Sequence, residues 1–135
     1  MIHHEDKKKL EDEAKELQSQ VNSIENDLHE VLKSLNTEHE RVSDRNAVYE
    51  AEKNIKQLSE QLSHLGIFKR KEKKEIIVAI EREREKKTDE ENRILNARRN
   101  IESRIQAAKD EASQKSLPMR KRIDEITAEL TKDRL

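Results

Sequence analysis

Apolar residues recur every three or four positions in the first part of the chain, and this spacing restricts the folds available to it. From Leu10 to Leu35 they follow one another at steps of 4, 3, 4, 3, 4, 3 and 4 residues. They are Leu10, Ala14, Leu17, Val21, Ile24, Leu28, Val31 and Leu35. Such a run forms one apolar stripe along an α-helix, which is the seam of a coiled coil. A second helix must cover the stripe, so we expect an all-α structure of paired helices.

The composition favours long helices over a compact globular fold or disorder. Charged residues make up 44% of the chain and aromatic residues 1%, so large apolar side chains are scarce. Gly and Pro occur once each, whereas disordered segments are usually rich in both. The chain has no cysteine and no apolar run of about 18 residues, which argues against disulfides, thiolate metal sites and membrane spans. The first residues lack the apolar region of a signal peptide, so we predict a cytoplasmic location.

The single glycine, Gly66, lies near the middle of the chain and is predicted to end the first helix. Gly adopts the left-handed conformation that commonly follows a helix, and short connections join neighbouring helices. A second apolar stripe begins at Ile77 and, like the first, is polar in its middle. If the chain folds back at residues 66–68, residues 84–91 lie opposite residues 43–50, and the two polar stretches meet. We therefore predict a long antiparallel coiled-coil helical hairpin.

The charge distribution also favours pairing of the two arms. Residues 1–65 contain 9 Lys/Arg and 15 Asp/Glu, whereas residues 66–135 contain 20 and 15, giving net charges of −6 and +5. Arms of opposite charge attract each other when they lie side by side. We expect the basic residues 120–122 to pair with acidic residues near Glu11–Glu16.

Residues 1–135 are expected to form a single elongated domain, on the order of 90 Å long at 1.5 Å per residue. Its parts are a first arm over about 5–65, the turn at 66–68, a second arm over about 69–116 and a terminal helix over about 117–132. The last boundary rests on Pro118, which removes a backbone donor and clashes with the preceding turn. A short third helix after Pro118, capped by Ser116, is therefore expected.

The first arm shows one irregularity in its apolar stripe. Val42 and Ile55 are 13 residues apart, one fewer than two heptads. We expect a continuous helix with a polar middle. The alternative is a bend or break in the helix, with a capping box formed by Thr37 and Glu40 at a new start.

The segment from Leu65 to Ile76 resembles a turn found in uncharacterised bacterial coiled-coil proteins. There, approximately Leu-Gly-apolar-Phe-Lys-x-Lys-Glu-Lys-Lys connects two long helices, often with Gly at the position of Arg70 in this chain. The resemblance covers about residues 62–76. It implies a bacterial origin and two helices joined by a turn, and it implies no activity.

The sequence carries no signal for catalysis, and we predict a protein that is not an enzyme and binds neither cofactor nor metal. Two paired helices offer no pocket that excludes water, and a single Gly cannot build a phosphate-binding loop. His29, His39 and His64 lack the i, i+4 spacing of a helical metal-binding pair. His3 and His4 lie at the start of the chain, where incidental metal binding is the alternative.

A basic cluster after Gly66 is the candidate contact surface, and we call it the tip surface. It consists of Ile67, Phe68, Lys69, Arg70, Lys71, Lys73 and Lys74. Cations in the first turn of a helix oppose the helix dipole, so selection for stability alone does not explain them. Ile67 and Phe68 either fold back as a hydrophobic plug above soluble lysines or remain free to contact a partner.

From these features we predict a structural or protein-interaction module that acts as a spacer, tether or assembly piece. Its partner is another protein or a second copy. Leu32, Ile76 and Leu95 lie beside the seams and suggest a second buried face, which would allow two hairpins to form a four-helix bundle. The alternative is a rod whose basic turn binds nucleic acid or an anionic membrane. No small-molecule substrate is expected.

Overall fold

The computed structural model describes residues 3–134, which form an all-α protein with no β-strand in that range. Helix α1 spans His4–Val42, α2 spans Asn46–His64 and α3 spans Arg70–Arg134. The contacts divide the chain into two compact units. The first unit combines the residues up to Asn36 with those from Glu102 onward, and the second unit is Thr37–Ile101. No helix in the described part of the chain is long and apolar enough to cross a bilayer.

In the first unit, α1 packs against the second half of α3. Val21 and Leu35 of α1 and Ile126 of α3 are buried. Arg122 of α3 donates two hydrogen bonds to the Glu13 carboxylate of α1, at 2.9 and 3.2 Å. The pairing of the basic residues 120–122 with the acidic start of α1 was predicted from sequence, and this contact confirms it for Arg122.

The short third helix expected after Pro118 does not form, because α3 continues through this residue. Pro118 lies on the exposed side of α3, as does Gln114, whose carbonyl would have accepted the missing hydrogen bond. Water can reach that carbonyl, and helices tolerate such sites on the solvent side. Beyond Pro118, Ile126 is buried and Arg122 contacts Glu13, and these tertiary contacts stabilise the helical conformation after the proline. Ser116 is therefore a buried position within α3, where its hydroxyl donates to the Ser113 carbonyl at 3.4 Å, and not a cap.

The inward side of α3 contains a four-residue irregularity between Ala112 and Ile123, which lie 11 residues apart, four more than one heptad. Both residues are half-buried, and between them Ser116 is buried and Met119 half-buried. The steps of four, three and four residues from Ala112 to Ile123 keep the stripe on one side of the helix. An insertion of this kind locally unwinds a supercoil.

Two predicted seam positions are wrong by one residue. Val31 is 45% exposed while its neighbour Leu32 is half-buried, and Ile77 is exposed while Ile76 is half-buried. A straight helix has 3.6 residues per turn, so a strict heptad position drifts around it by about 20° per heptad. The inward position therefore passes to the adjacent residue. Leu95, predicted to lie on a face that a second hairpin would cover, is exposed in the single chain, as such a face would be.

In the second unit, the first arm is broken between α1 and α2, so the continuous helix expected there is wrong. The Ser43 hydroxyl donates to the His39 carbonyl at 2.7 Å, and the Asn46 amide donates to the Asp44 carboxylate at 2.9 Å. These bonds end one helix and start the next. The break absorbs the one-residue slip of the apolar stripe. The capping box proposed at Thr37 does not start a helix, because α1 continues through that residue to Val42.

The buried residues of the second unit lie on α2 and on the first half of α3. They are Val48, Ala51, Ile80, Ile94 and Ile101. Two polar contacts join the same helices: Asn54 donates to Glu83 at 3.3 Å, and Lys87 lies 3.3 Å from Glu52. Residues 47–54 thus lie beside residues 83–90, within about one helical turn of the predicted match.

Within each unit, the contacts run in reverse chain order. In the first unit, Glu13 pairs with Arg122 and the later Glu25 pairs with the earlier Arg120. In the second unit, Glu52 pairs with Lys87 and Asn54 with Glu83. Reverse order is the pattern made by helices that lie antiparallel.

Candidate contact surface at the turn between α2 and α3

Backbone hydrogen bonds fix the shape of the turn. The Leu65 amide donates to the Leu62 carbonyl at 3.3 Å, and Leu65 itself is extended, with φ −79° and ψ 136°. The Lys69 amide donates to the Gly66 carbonyl at 3.1 Å, which closes a four-residue turn. Ile67 and Phe68 are the two central residues of this turn, so their side chains leave it at its outermost point.

Gly66 does not have the left-handed conformation that we predicted for it. No residue in the described range has a positive φ, Gly66 included. The extended backbone of Leu65 ends α2 instead. A Cβ atom built at Gly66 would meet no heavy atom within 4 Å, so neither backbone conformation nor close packing requires glycine here.

Ile67 and Phe68 extend into solvent. Ile67 is 77% exposed and Phe68 is 94% exposed. The hypothesis that they fold back as a hydrophobic plug is therefore wrong, because a plug would bury both against α2 or α3. Leu62 and Leu65, just before the turn, are half-buried and provide the local packing instead.

The basic members of the tip surface follow directly in the chain. The Lys73 amide donates to the Lys69 carbonyl at 3.0 Å, so Lys69 directly precedes α3 and the other four cations lie in its first two turns. Lys69 lies 3.7 Å from Glu72. No ion pair forms at Arg70, Lys71, Lys73 or Lys74 among residues 3–134. Lys73 is half-buried, and the other four cations are exposed.

This arrangement concentrates positive charge around two apolar side chains. The segment 66–75 contains five Lys/Arg and two Asp/Glu, a net charge of +3. The dipole of α3 adds positive potential at the same end. An anionic surface would relieve this repulsion, and apolar contact at Ile67 and Phe68 would add to binding. The tip surface thus presents exposed apolar side chains and positive charge together.

Other polar clusters in the described range are explained by local pairing. Hydrogen bonds from Asn54 and then Lys86 lower the pKa of the half-buried Glu83 carboxylate. The hydrogen bond from Arg122 lowers the pKa of the exposed Glu13 carboxylate. No group of three or more metal-ligating side chains occurs in the described part of the chain.

The surface around the break between α1 and α2 was not anticipated from sequence. The guanidinium carbon of Arg45 lies 5.9 Å from the ring centre of the exposed Tyr49, within the range of a cation–π contact. A hydrogen bond from Arg93 to Glu90, with a smaller contribution from Asp44, raises the pKa of the Arg93 guanidinium. Ser-Asp-Arg-Asn at 43–46 is the sequence signal for this break, since an Asp side chain commonly accepts a hydrogen bond from the backbone amide two residues later.

Comparisons of the chain with protein-family models, with curated proteins and with solved structures yield no match.

Proposed function

We propose that the protein is a non-enzymatic coiled-coil helical hairpin that acts as a structural or protein-interaction module, as a spacer, tether or assembly piece. The heptad spacing of the buried residues carries this proposal. In α3, Ile80, Ile94 and Ile101 are buried and lie 14 and 7 residues apart. In α1, the buried Val21 and Leu35 are 14 residues apart. Multiples of seven are the repeat of a coiled-coil seam.

The reverse order of the contacts in each unit supports an antiparallel hairpin. Glu13 with Arg122 and Glu52 with Lys87 join the first and second arms at two levels. Exposed pairs of this kind contribute about 0.2–1 kcal/mol each, so they select the direction of pairing more than they stabilise it. The buried apolar residues contribute most of the stability.

Exposed apolar side chains along the arms support a role in protein interaction. Val31, Ile77, Val78 and Leu95 are all more than two-fifths exposed. Isolated exposed apolar residues are common on protein surfaces, but a partner helix could cover neighbouring ones. A second hairpin is one such partner, and two hairpins would form a four-helix bundle.

Two measurements test this proposal: sedimentation equilibrium in solution, and affinity capture from a lysate on immobilised protein. Both compare the wild type with two variants. The arm variant combines Ile77→Lys and Leu95→Lys, and the tip variant combines Phe68→Ser, Lys69→Glu and Lys71→Glu. We expect self-association or a captured protein that the arm variant loses and the tip variant keeps. The proposed interaction module would be refuted if the wild type stayed monomeric at every concentration and captured no protein.

The second candidate function is binding of nucleic acid or an anionic membrane through the tip surface. The exposure of Phe68 and Ile67 favours it, together with a neighbouring group of five cations of which only Lys69 has an ion pair within residues 3–134. The tip variant should lose this binding and the arm variant should keep it. Raising the salt concentration from about 50 to about 200 mM should weaken it steeply, whereas association along the arms should change little.

A further inference from the structure

We infer that the turn between α2 and α3 is a bilayer anchor, in which Ile67 and Phe68 enter the interface of an anionic membrane while the tip lysines and arginine bind lipid headgroups. This inference rests on the second proposed function and names its partner. It concerns the same tip surface, and it assigns different roles to its apolar and its basic members.

The first argument is the order of the side chains along the turn. Ile67 and Phe68 are its central residues, and the Lys69 amide bond to the Gly66 carbonyl closes the turn behind them. The cations begin one residue later and continue into α3. An interfacial anchor requires this order, because apolar side chains enter first and amines remain at the level of the headgroups.

The second argument is the chemistry of the two apolar residues. Phe68 could stack on a nucleic-acid base, but Ile67 has no aromatic face for stacking and is 77% exposed. Aliphatic and aromatic side chains both partition into the acyl boundary of a bilayer. The pair therefore fits lipid better than a nucleic-acid strand.

The third argument is the availability of the charges. Among the described residues, only Lys69 of the five cations has an ion pair, at 3.7 Å from Glu72. By contrast, two of the three basic residues directly after Met119 form ion pairs with α1: Arg120 pairs with Glu25, and Arg122 pairs with Glu13. Each available Lys or Arg near an anionic bilayer strengthens binding about fivefold. Removing two of them should therefore weaken partitioning about 25-fold.

Tryptophan fluorescence tests the anchor at the residue itself. The chain has no Trp, so Phe68→Trp introduces a single reporter at the turn. Vesicles of phosphatidylcholine alone are compared with vesicles containing about one-third phosphatidylserine. With the anionic vesicles we expect a blue shift and quenching by lipids brominated on the acyl chain. Adding Lys71→Gln and Lys74→Gln, which removes two exposed cations that have no ion pair among the described residues, should weaken binding about 25-fold. Adding Ile67→Ser should weaken it about tenfold or more.

A matched control comes from α3. Leu117 is 66% exposed and is also followed by basic residues, but Arg120 and Arg122 there are paired. Leu117→Trp should show no blue shift with either vesicle. Circular dichroism of each variant checks that the helices are retained. An equal response of the two reporters would overturn the anchor, because it would indicate unspecific adsorption.

A titration with nucleic acid distinguishes failure of the bilayer anchor from failure of the second proposed function. The Phe68→Trp protein is also titrated with a single-stranded oligonucleotide and with a DNA duplex. A response to nucleic acid without a response to vesicles overturns the bilayer anchor and leaves the second proposed function standing. A silent reporter with vesicles and nucleic acid overturns both.

Discussion

Ile126 of α3 should be one of the most costly residues to truncate, because it is fully buried within the first unit. Replacing Ile with Ala removes three carbon atoms, each contributing about 0.8 kcal/mol when buried. The cavity left behind adds to this loss, so we expect Ile126→Ala to lower the free energy of unfolding by about 3 kcal/mol. Domains of ordinary stability have about 5–15 kcal/mol in total, so the loss is large.

Urea unfolding followed by circular dichroism at 222 nm measures this effect. With a slope of about 2 kcal/mol per molar urea, the midpoint should fall by about 1.5 M. Leu117→Ala is the matched control, since Leu117 lies on the same helix, is 66% exposed, and should change stability by at most about 0.5 kcal/mol. Equal losses from the two substitutions would refute the packing of α3 described above.

Three further predictions concern single positions. Pro118→Ala should raise the free energy of unfolding by about 1–3 kcal/mol, because it restores a donor to the Gln114 carbonyl within a continuous helix; an unchanged or lower urea midpoint would contradict the continuation of α3 through this residue. Gly66→Ala should raise it by about 0.4–1 kcal/mol by restricting the unfolded chain, and a clear loss in thermal unfolding would instead indicate a left-handed Gly66. Arg122→Gln should raise the pKa of the Glu13 carboxylate towards its ordinary value, as followed by NMR titration. Because the hydrogen bond from Arg122 lowers the pKa of Glu13, the pair stabilises the fold while Glu13 is ionised, and this contribution is lost as the pH falls through the lowered pKa. If the wild type and the variant lost the same free energy of unfolding on acidification, the pair would make no contribution.

The helical nature of the chain and the place of its turn were predictable from sequence. Heptad spacing from Leu10 to Leu28 and the scarcity of Gly and Pro leave few alternatives to long helices. Gly66 marked the connection correctly, as α2 ends at His64 and α3 begins at Arg70. The heptad spacing and the single glycine are local signals. Each depends on residues close together in the chain, so each can be read from sequence.

Other features depend on tertiary packing, which the sequence pattern does not report. Pro118 was expected to end a helix, but it lies on an exposed side of α3, where water can reach the carbonyl that loses its hydrogen bond. Val31 and Leu32 could not be ranked by heptad counting, because the drift of a straight helix decides between them. The break before Asn46 was readable in part, since an Asp side chain such as that of Asp44 commonly accepts a hydrogen bond from the backbone amide two residues later.

The tip surface was recognised from its composition, but its geometry was not. Sequence alone left open whether Phe68 is buried or exposed, because both arrangements suit a short turn. Their exposure, 77% for Ile67 and 94% for Phe68, answers this question, and the hydrogen bond from Lys69 to Gly66 places both at the centre of the turn.

Zero-length cross-linking of mixed chains tests most directly whether one chain forms the antiparallel hairpin. Light and 15N-labelled chains are unfolded together, refolded and treated with a carbodiimide, which joins a lysine amine to a carboxylate in contact. Lys87 lies 3.3 Å from Glu52 of the other arm, while Lys115 and Glu111, at 2.9 Å within α3, are the positive control.

A single-chain hairpin predicts that Lys87–Glu52 peptides are either wholly light or wholly heavy. Light–heavy peptides in the proportion expected for random exchange would show that the two arms belong to different chains. Formation of the Lys115–Glu111 product without any Lys87–Glu52 product would show that the arms do not pair at this level.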